Sequence, residues 1–217
     1  MNDMTTATSW AVLLGLGAFH GLNPGMGWLF AVALGMQERR RGAVLSALLP
    51  LGLGHALAVV AAIVVAIFAG VVIPAHWLRW LVAGLLLALG IARLIRHRHP
   101  RWASMRVGKG ALTLWSFLMA SAHGAGLMVV PVFLAMTATD LHHTHHHGMQ
   151  MAVATPASAV IATVLHAAGY LVVTAALAFL VFEKLGVGVL RKSWFNLDLL
   201  WAVSLIGTGL ITLGLSS

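Results

Sequence analysis

Long apolar runs alternate with short polar segments along this chain. The runs cover residues 10–36, 43–69, 76–95, 111–136, 152–182 and 194–215. A helix needs about 20 apolar residues to cross the hydrocarbon core of a bilayer, so each run is long enough to span it. Strands of membrane barrels are about 10 residues long and alternate in polarity, which these continuous runs do not. The pattern predicts an all-α polytopic membrane protein with six transmembrane helices in a single transmembrane domain, residues 1–217.

The composition agrees with lipid as the main solvent. Of the 217 residues, 60% are hydrophobic and only 8% are charged, and the mean hydropathy is +0.96. An ordinary soluble domain carries roughly 25% charged residues. A soluble enzyme and a free nucleic-acid binder are therefore excluded, and the lipid bilayer is the expected partner, with a homo-oligomer left open. Because the chain has no cysteine, it has neither disulfides nor thiolate metal ligands.

The basic residues predict the orientation of the spans. Twelve of the 13 Lys and Arg residues fall in the loops after the first, third and fifth runs, or at the ends of those runs, and only Arg79 falls on the other side. Cytoplasmic loops carry an excess of Lys and Arg. We therefore expect these three loops inside and both termini outside, in a bacterial-type inner membrane.

The two halves of the chain carry related motifs around histidine. Four segments carry them: Phe19–Met26 and Ala122–Met128 in the first and fourth runs, and Leu53–Val60 and Leu165–Val173 in the second and fifth. With three spans in each copy, the second copy enters the membrane from the opposite side. The motifs predict two inverted three-helix repeats, residues 10–95 and 111–215, an architecture common in secondary transporters.

Four histidines are the ionisable groups in the interiors of the predicted spans, away from the span ends: His20, His55, His123 and His166. Each lies about 10–14 residues from the start of its span, which is about 15–21 Å at 1.5 Å per residue and near the middle of a ~30 Å core. A single membrane histidine is ordinarily a hydrogen-bond partner between helices. Four at corresponding places predict a shared site, and neutral imidazole is a common ligand of Zn, Cu, Fe and Ni.

The segment after His20 predicts a broken helix. Pro24 has no amide hydrogen and its ring clashes with the carbonyl of His20, which the break should free. Gly21 and Gly25 permit unusual backbone angles there, although they also suit close helix packing. Asn23 and Met26 add an amide and a soft thioether to the candidate ligand set.

The predicted loop after the fourth span, residues 137–151, is rich in metal-binding side chains. Its candidate ligands are Asp140, His142, His143, His145, His146 and His147. Such a tract is typical of metal binding, with a mobile polar loop as the alternative. By orientation it lies on the extracytoplasmic side, where it would capture or release metal.

The segment His20–Met26, followed by a Gly-His pair at Gly54 and His55, resembles the nickel/cobalt transporters of the lysine-exporter superfamily. In these proteins a first helix carries a His-containing acidic signature and a later helix carries a Gly-His motif. The resemblance implies transport of a transition-metal ion by six spans arranged as inverted triplets. His20 and His55 are the positions that match the motifs.

The resemblance is incomplete at three positions that bear on the cargo. The family has aspartates three and five residues after the first histidine and a second histidine six residues after it, where this chain has Asn23, Gly25 and Met26. A donor set of neutral His, Asn and Met favours a softer or monovalent ion such as Cu(I). The transition-metal ion therefore stays open among nickel, cobalt, copper and zinc.

Together these features predict a secondary transporter of a transition-metal ion through a four-histidine mid-membrane site, and not an enzyme. The chain has no Walker-type Gly-Lys-Ser/Thr sequence, so coupling to protons or to the membrane potential is favoured over ATP hydrolysis. Two alternatives are an amino-acid exporter, whose site should carry a fixed charge, and a haem-binding electron carrier that uses paired histidines.

Overall fold

The computed structural model of the protein describes residues 2–95, 108–141, 156–185 and 197–214. Within these ranges every regular element is helical, which confirms the all-α prediction. The helices are α1 (Asn2–Leu22), α2 (Trp28–Glu38), α3 (Arg41–Val72), α4 (Ala75–Ile95), α5 (Lys109–Ala122), α6 (Ala125–Leu141), α7 (Pro156–Leu180) and α8 (Leu197–Gly214). A 3-10 turn, Pro24–Met26, separates α1 from α2, and a π-helical turn, Val181–Leu185, follows α7.

Several of these helices could cross a membrane. Three are long and apolar enough: Arg41–Val72, His76–Ile95 and Pro156–Lys184. A fourth span results if the bent pair Gly110–Ala122 and Ala125–Met136 is taken as one. Two shorter apolar helices, Ala7–Leu22 and Trp201–Gly214, lie where the first and last spans are predicted. The described residues thus form an all-helical protein with three to four helices that could span a membrane, and the six-span arrangement stays a prediction.

The first apolar run is broken at Pro24, as its sequence predicts. α1 ends at Leu22, and Asn23 is extended, with its side-chain oxygen accepting a hydrogen bond from the Gly25 amide at 2.9 Å. Pro24 begins the 3-10 turn, a position where its missing amide hydrogen costs nothing. Gly27 then has a φ of +157°, which a residue with a side chain rarely adopts, before the chain re-enters a helix.

Several carbonyl oxygens at this break accept hydrogen bonds. Three aromatic side chains donate to them: Trp28 Nε1 to Leu22 O at 3.0 Å, Trp115 Nε1 to Gly25 O at 3.4 Å, and the Tyr170 hydroxyl to Met26 O at 2.6 Å. The backbone N–H of Asn23 donates to His20 O at 3.3 Å. The last bond corrects one expectation, because the carbonyl of His20 is not left free by the break. An unpaired carbonyl in an apolar interior costs free energy, which explains why aromatic N–H and O–H groups surround the turn.

A second break divides the fourth apolar run. α5 ends at Ala122 and α6 begins at Ala125, and the two helices are bent by 62°. Gly124 has a φ of +71°, which turns the chain between them. Trp201 Nε1 donates to His123 O at 2.9 Å, and the Arg93 guanidinium donates to Ala122 O at 3.0 Å, so carbonyls at this break also have donors.

Close helix packing brings the two halves of the chain together. α1 packs along α7, α3 packs along α5, and α4 packs along α8. The first two seams are narrow because glycine lies in them. A Cβ added at Gly17 of α1 would meet the carbonyl oxygen of His166 in α7, and one added at Gly54 of α3 would meet that of Thr113 in α5. Such small residues let helix backbones approach within a membrane.

The outer surface of α3 is apolar. The exposed side chains on this helix include Leu49, Leu53, Leu57, Val65 and Phe68. A continuous exposed apolar face of this kind is unfavourable in water and favourable in hydrocarbon. It supports the interpretation of the long helices as membrane spans.

Candidate functional site

Three imidazoles from three helices lie in direct ring contact. They belong to His20 in α1, His55 in α3 and His166 in α7, and we call them the histidine triad. The ring centroids are 5.6 Å apart for His20 and His55, 5.0 Å for His20 and His166, and 5.2 Å for His55 and His166. All three residues have 0% exposure. The structure thus brings together residues that are up to 146 positions apart in the sequence.

The fourth predicted histidine, His123, does not join the ring contacts of the triad but contacts Trp201, which in turn contacts His20. The Trp201 ring contacts His20 at a centroid distance of 4.8 Å and His123 at 5.6 Å. Phe19 stacks on the same indole at 4.7 Å. The predicted four-histidine centre is therefore, among the described ring contacts, a compact group of three with His123 placed beside Trp201.

Backbone hydrogen bonds determine which ring nitrogen of His20 and of His166 is available to bind a metal ion. Nδ1 of His20 lies 2.5 Å from Leu16 O, and Nδ1 of His166 lies 3.1 Å from Leu13 O. A carbonyl oxygen only accepts hydrogen bonds, so Nδ1 carries the proton in both rings and Nε2 keeps its lone pair. In metal sites, histidine ligands ordinarily donate their other N–H in this way.

His123 has the same anchoring. Its Nδ1 lies 2.8 Å from Met119 O, so this ring also donates from Nδ1 and keeps the lone pair on Nε2. In α1 and in α5 the acceptor is the carbonyl four residues earlier, which places the two imidazoles in matching positions on their helices. This local similarity is what the related sequence motifs lead one to expect.

His55 differs from the other two triad members. Neither of its ring nitrogens has a hydrogen-bond partner among the described residues, and the same holds for Nε2 of His20 and of His166. Its ring is held by stacking instead, at 4.0 Å and 5° from Tyr170 and at 5.2 Å and 8° from His166. Four unpaired ring nitrogens in a site without solvent exposure require an explanation, because buried polar atoms are nearly always paired.

The rings do not form a metal site as they are oriented. Within the described residues, no group of three or more His, Cys, Asp or Glu side chains is placed to hold a metal ion. An imidazole binds a metal through a lone pair that lies in the plane of the ring. The rings of His55 and His166 are stacked and nearly parallel, so their lone pairs cannot both be directed at a point between them.

The residues of the predicted helix break mainly have structural roles. Asn23 caps the 3-10 turn through its side-chain oxygen, and the Met26 side chain is buried in the hydrophobic core. Gly21 lies against the backbone of α7, where an added Cβ would be 2.7 Å from Tyr170 O. Gly25 donates the capping hydrogen bond to Asn23. The ligand roles predicted for Asn23 and Met26 stay predictions.

The predicted metal-capture loop falls mostly outside the described residues. Asp140 lies within α6, and its side chain is not described. The histidines of the tract, His142, His143, His145, His146 and His147, lie in the range 142–155 that the structure does not describe. Their role stays a prediction.

Sequence reasoning missed the two aromatic residues that bound the triad. Tyr170 is the only tyrosine of the chain and follows His166 by four residues, so the two share one face of a helix. That spacing was a usable signal. Trp201 gives a weaker sequence signal, because it lies on a different helix and its contact with His20 depends on how α8 packs.

Comparison with protein-family models, with curated proteins and with solved structures finds no match for this chain.

The bond from Tyr170 to the helix break gives a first prediction. Replacing Tyr170 with phenylalanine keeps the ring that stacks on His55 but leaves the Met26 carbonyl without its donor. We expect a loss of about 2 kcal/mol in the free energy of unfolding, the cost of leaving a buried acceptor unpaired. Thermal unfolding of the detergent-solubilised variant measures it. An unchanged stability would mean that this hydrogen bond does not hold the break.

Proposed function

We propose that this chain is a secondary transporter of a transition-metal ion in a bacterial-type inner membrane. It is built from six spans as two inverted three-helix repeats, with both termini outside. The histidine triad binds the ion, and His123 is the next ligand along the path. The ion is cargo, and the outer loop with the five histidines captures or releases it.

The pairing of the helices supports the inverted repeat. If a two-fold axis exchanges the halves, the first span pairs with the fifth as the fourth pairs with the second, and the third pairs with the sixth. α1 packs along α7, α3 packs along α5 and α6, and α4 packs along α8, which is the same pattern. The two helix breaks, at Pro24 and at Gly124, also occupy corresponding places in the two halves.

The spacing of the triad is the observation that carries the proposal. The point equidistant from the three ring centroids lies about 3 Å from each of them. A metal ion held at about 2.0 Å by an imidazole nitrogen lies about 3 Å from the centroid of that ring. The three rings are thus at the separation that a shared ion requires, and Nε2 of both His20 and His166 has no hydrogen-bond partner among the described residues.

Binding in this proposal includes a turn of the His55 ring. His20 and His166 are each anchored to a backbone carbonyl, whereas the described residues give the His55 ring no hydrogen bond that would be lost. Turning its ring out of the stack with Tyr170 directs a lone pair toward the centre of the triad. Protonated imidazole cannot bind a metal, so protons and metal compete for the triad.

The two alternatives have less support. A fixed charge for an amino-acid substrate is lacking, because the buried polar side chains among the described residues include no Lys, Arg, Asp or Glu. A haem with two axial histidines needs them on opposite sides of a porphyrin. The triad rings are in direct contact, which leaves no space for a porphyrin between them.

Metal uptake by purified protein in liposomes tests the proposal. We expect His20→Ala and His166→Ala each to lower the flux at least about tenfold, because each removes one ligand from the centre. The matched control is His76→Ala, which changes an exposed histidine at the start of α4. Its flux should equal that of the unaltered chain. Undiminished transport by well-folded His20→Ala and His166→Ala proteins would refute the triad as the binding site.

A further inference from the structure

We infer that the histidine triad selects a soft monovalent cation with a filled d shell, Cu(I) or Ag(I), over divalent nickel, cobalt and zinc. This inference rests on the proposed transport function and names the cargo of the same site. It follows from the charge of the surroundings, the number of ligands and the chemical character of the walls.

Among the described side chains, none buried around the triad carries a negative charge. The buried polar side chains among the described residues are His20, Asn23, His55, Ser116, His123, Thr163, His166, Thr174 and Thr212. The two carboxylates whose side chains are described, Glu38 and Glu183, pair with arginines at the ends of helices. The cost of transferring an ion from water into an apolar interior rises with the square of its charge, so a divalent ion pays about four times the cost of a monovalent one.

A cation already lies near the proposed path. The Arg93 guanidinium donates to the carbonyl of Ala122, the residue before His123. Its positive charge opposes any cation at His123, and it opposes a divalent ion twice as strongly as a monovalent one. A site for divalent ions is instead expected to place a carboxylate near the ion to offset its charge.

The number of ligands also favours a monovalent ion. The triad offers three nitrogen donors, and aromatic rings bound it, with Tyr170 stacked on His55 and Trp201 against His20. Zn(II) is four-coordinate and takes water as its fourth ligand where the protein supplies three, and Ni(II) takes square-planar or larger sets. Filled-shell monovalent ions accept two or three ligands, which the triad can supply without water.

The walls of the site are soft and polarisable. Tyr170 stacks on His55 and Trp201 contacts His20, and both belong to a buried cluster that also contains Met26 and Met128. Thioethers and aromatic faces interact with soft cations and give little to hard ones. The same neutral set of side chains would give K⁺ or Na⁺ no oxygen cage to replace their water.

An ion panel in liposomes tests the selectivity. The probes are Ag(I) in nitrate buffer, Cu(I) kept reduced by ascorbate, and Ni(II), Co(II), Zn(II) and K⁺. The inference requires Ag(I) and Cu(I) fluxes that exceed every other flux at least about tenfold and that fall in His20→Ala. Faster Ni(II), Co(II) or Zn(II) flux that depends on His20 would overturn the inference and leave the transport function in place. The absence of triad-dependent flux for every ion would overturn both.

A pair of variants at His55 gives a second, independent test. Methionine supplies a soft thioether in place of the imidazole, and leucine has nearly the same volume without a donor. We expect His55→Met to keep Ag(I) flux within about threefold, whereas His55→Leu lowers it at least about tenfold. Equal loss in both variants, with the proteins folded by size-exclusion chromatography, would contradict a soft ion at this position. The ion panel on the unaltered chain decides the question if either variant fails to fold.

Discussion

Replacing Gly17 with alanine is expected to destabilise the protein by about 3 kcal/mol, the upper end of the usual cost of overpacking a well-packed interior. The added Cβ would meet the carbonyl oxygen and carbonyl carbon of His166, which are backbone atoms and cannot move aside as a side chain can. α1 and α7 would have to separate along their whole seam. The ring contact between His20 and His166 depends on this seam, so transport should fall together with stability.

Gly15→Ala is the matched control for this change. It lies on the same helix two residues earlier, and an added Cβ there meets nothing within 4 Å. Alanine is also the better helix former by about 1 kcal/mol. Gly15→Ala should therefore leave the unfolding temperature unchanged or raise it, while Gly17→Ala lowers it. Equal unfolding temperatures for the two variants would show that the seam yields more easily than its geometry suggests.

The features of the fold that could be predicted from the sequence are those with local causes. The break at Pro24 follows from the chemistry of one residue, since its ring and its missing amide act on the turn that contains it. The apolar runs predict helices because their length matches the hydrocarbon core. The break at Gly124 lies in the motif that resembles His20-Gly21. It depends on a positive φ at Gly124, which a hydrophobicity pattern does not predict.

The site was predictable as a set of residues and not as an arrangement. The sequence identifies His20, His55 and His166 by their depth in the predicted spans, which is a property of each apolar run alone. Their ring orientations depend on contacts between distant parts of the chain. Nδ1 of His166 donates to the carbonyl of Leu13, which is 153 residues away in the sequence. The indole of Trp201, which contacts the triad, donates to the carbonyl of His123, which is 78 residues away.

Replacing Gly54 with alanine should be as damaging as Gly17→Ala, because the second seam has the same construction. The added Cβ would meet the carbonyl oxygen of Thr113 and would lie 2.8 Å from Ser116 Cβ and 2.9 Å from the Phe117 amide nitrogen. We expect a loss of about 3 kcal/mol. Because Gly54 precedes His55, movement of α3 away from α5 also displaces one member of the triad.

The control for this variant is Gly70→Ala on the same helix, where the nearest atom, Leu78 Cδ2, lies at an ordinary contact distance of 3.6 Å. Thermal unfolding and liposome flux should separate the two substitutions, with Gly54→Ala impaired in both and Gly70→Ala in neither. Distant and independent sites contribute additively to stability. Gly17 and Gly54 lie in seams that meet at the triad, so the double variant should depart from additivity. Strict additivity would indicate that the two seams pack independently and that the triad does not couple them.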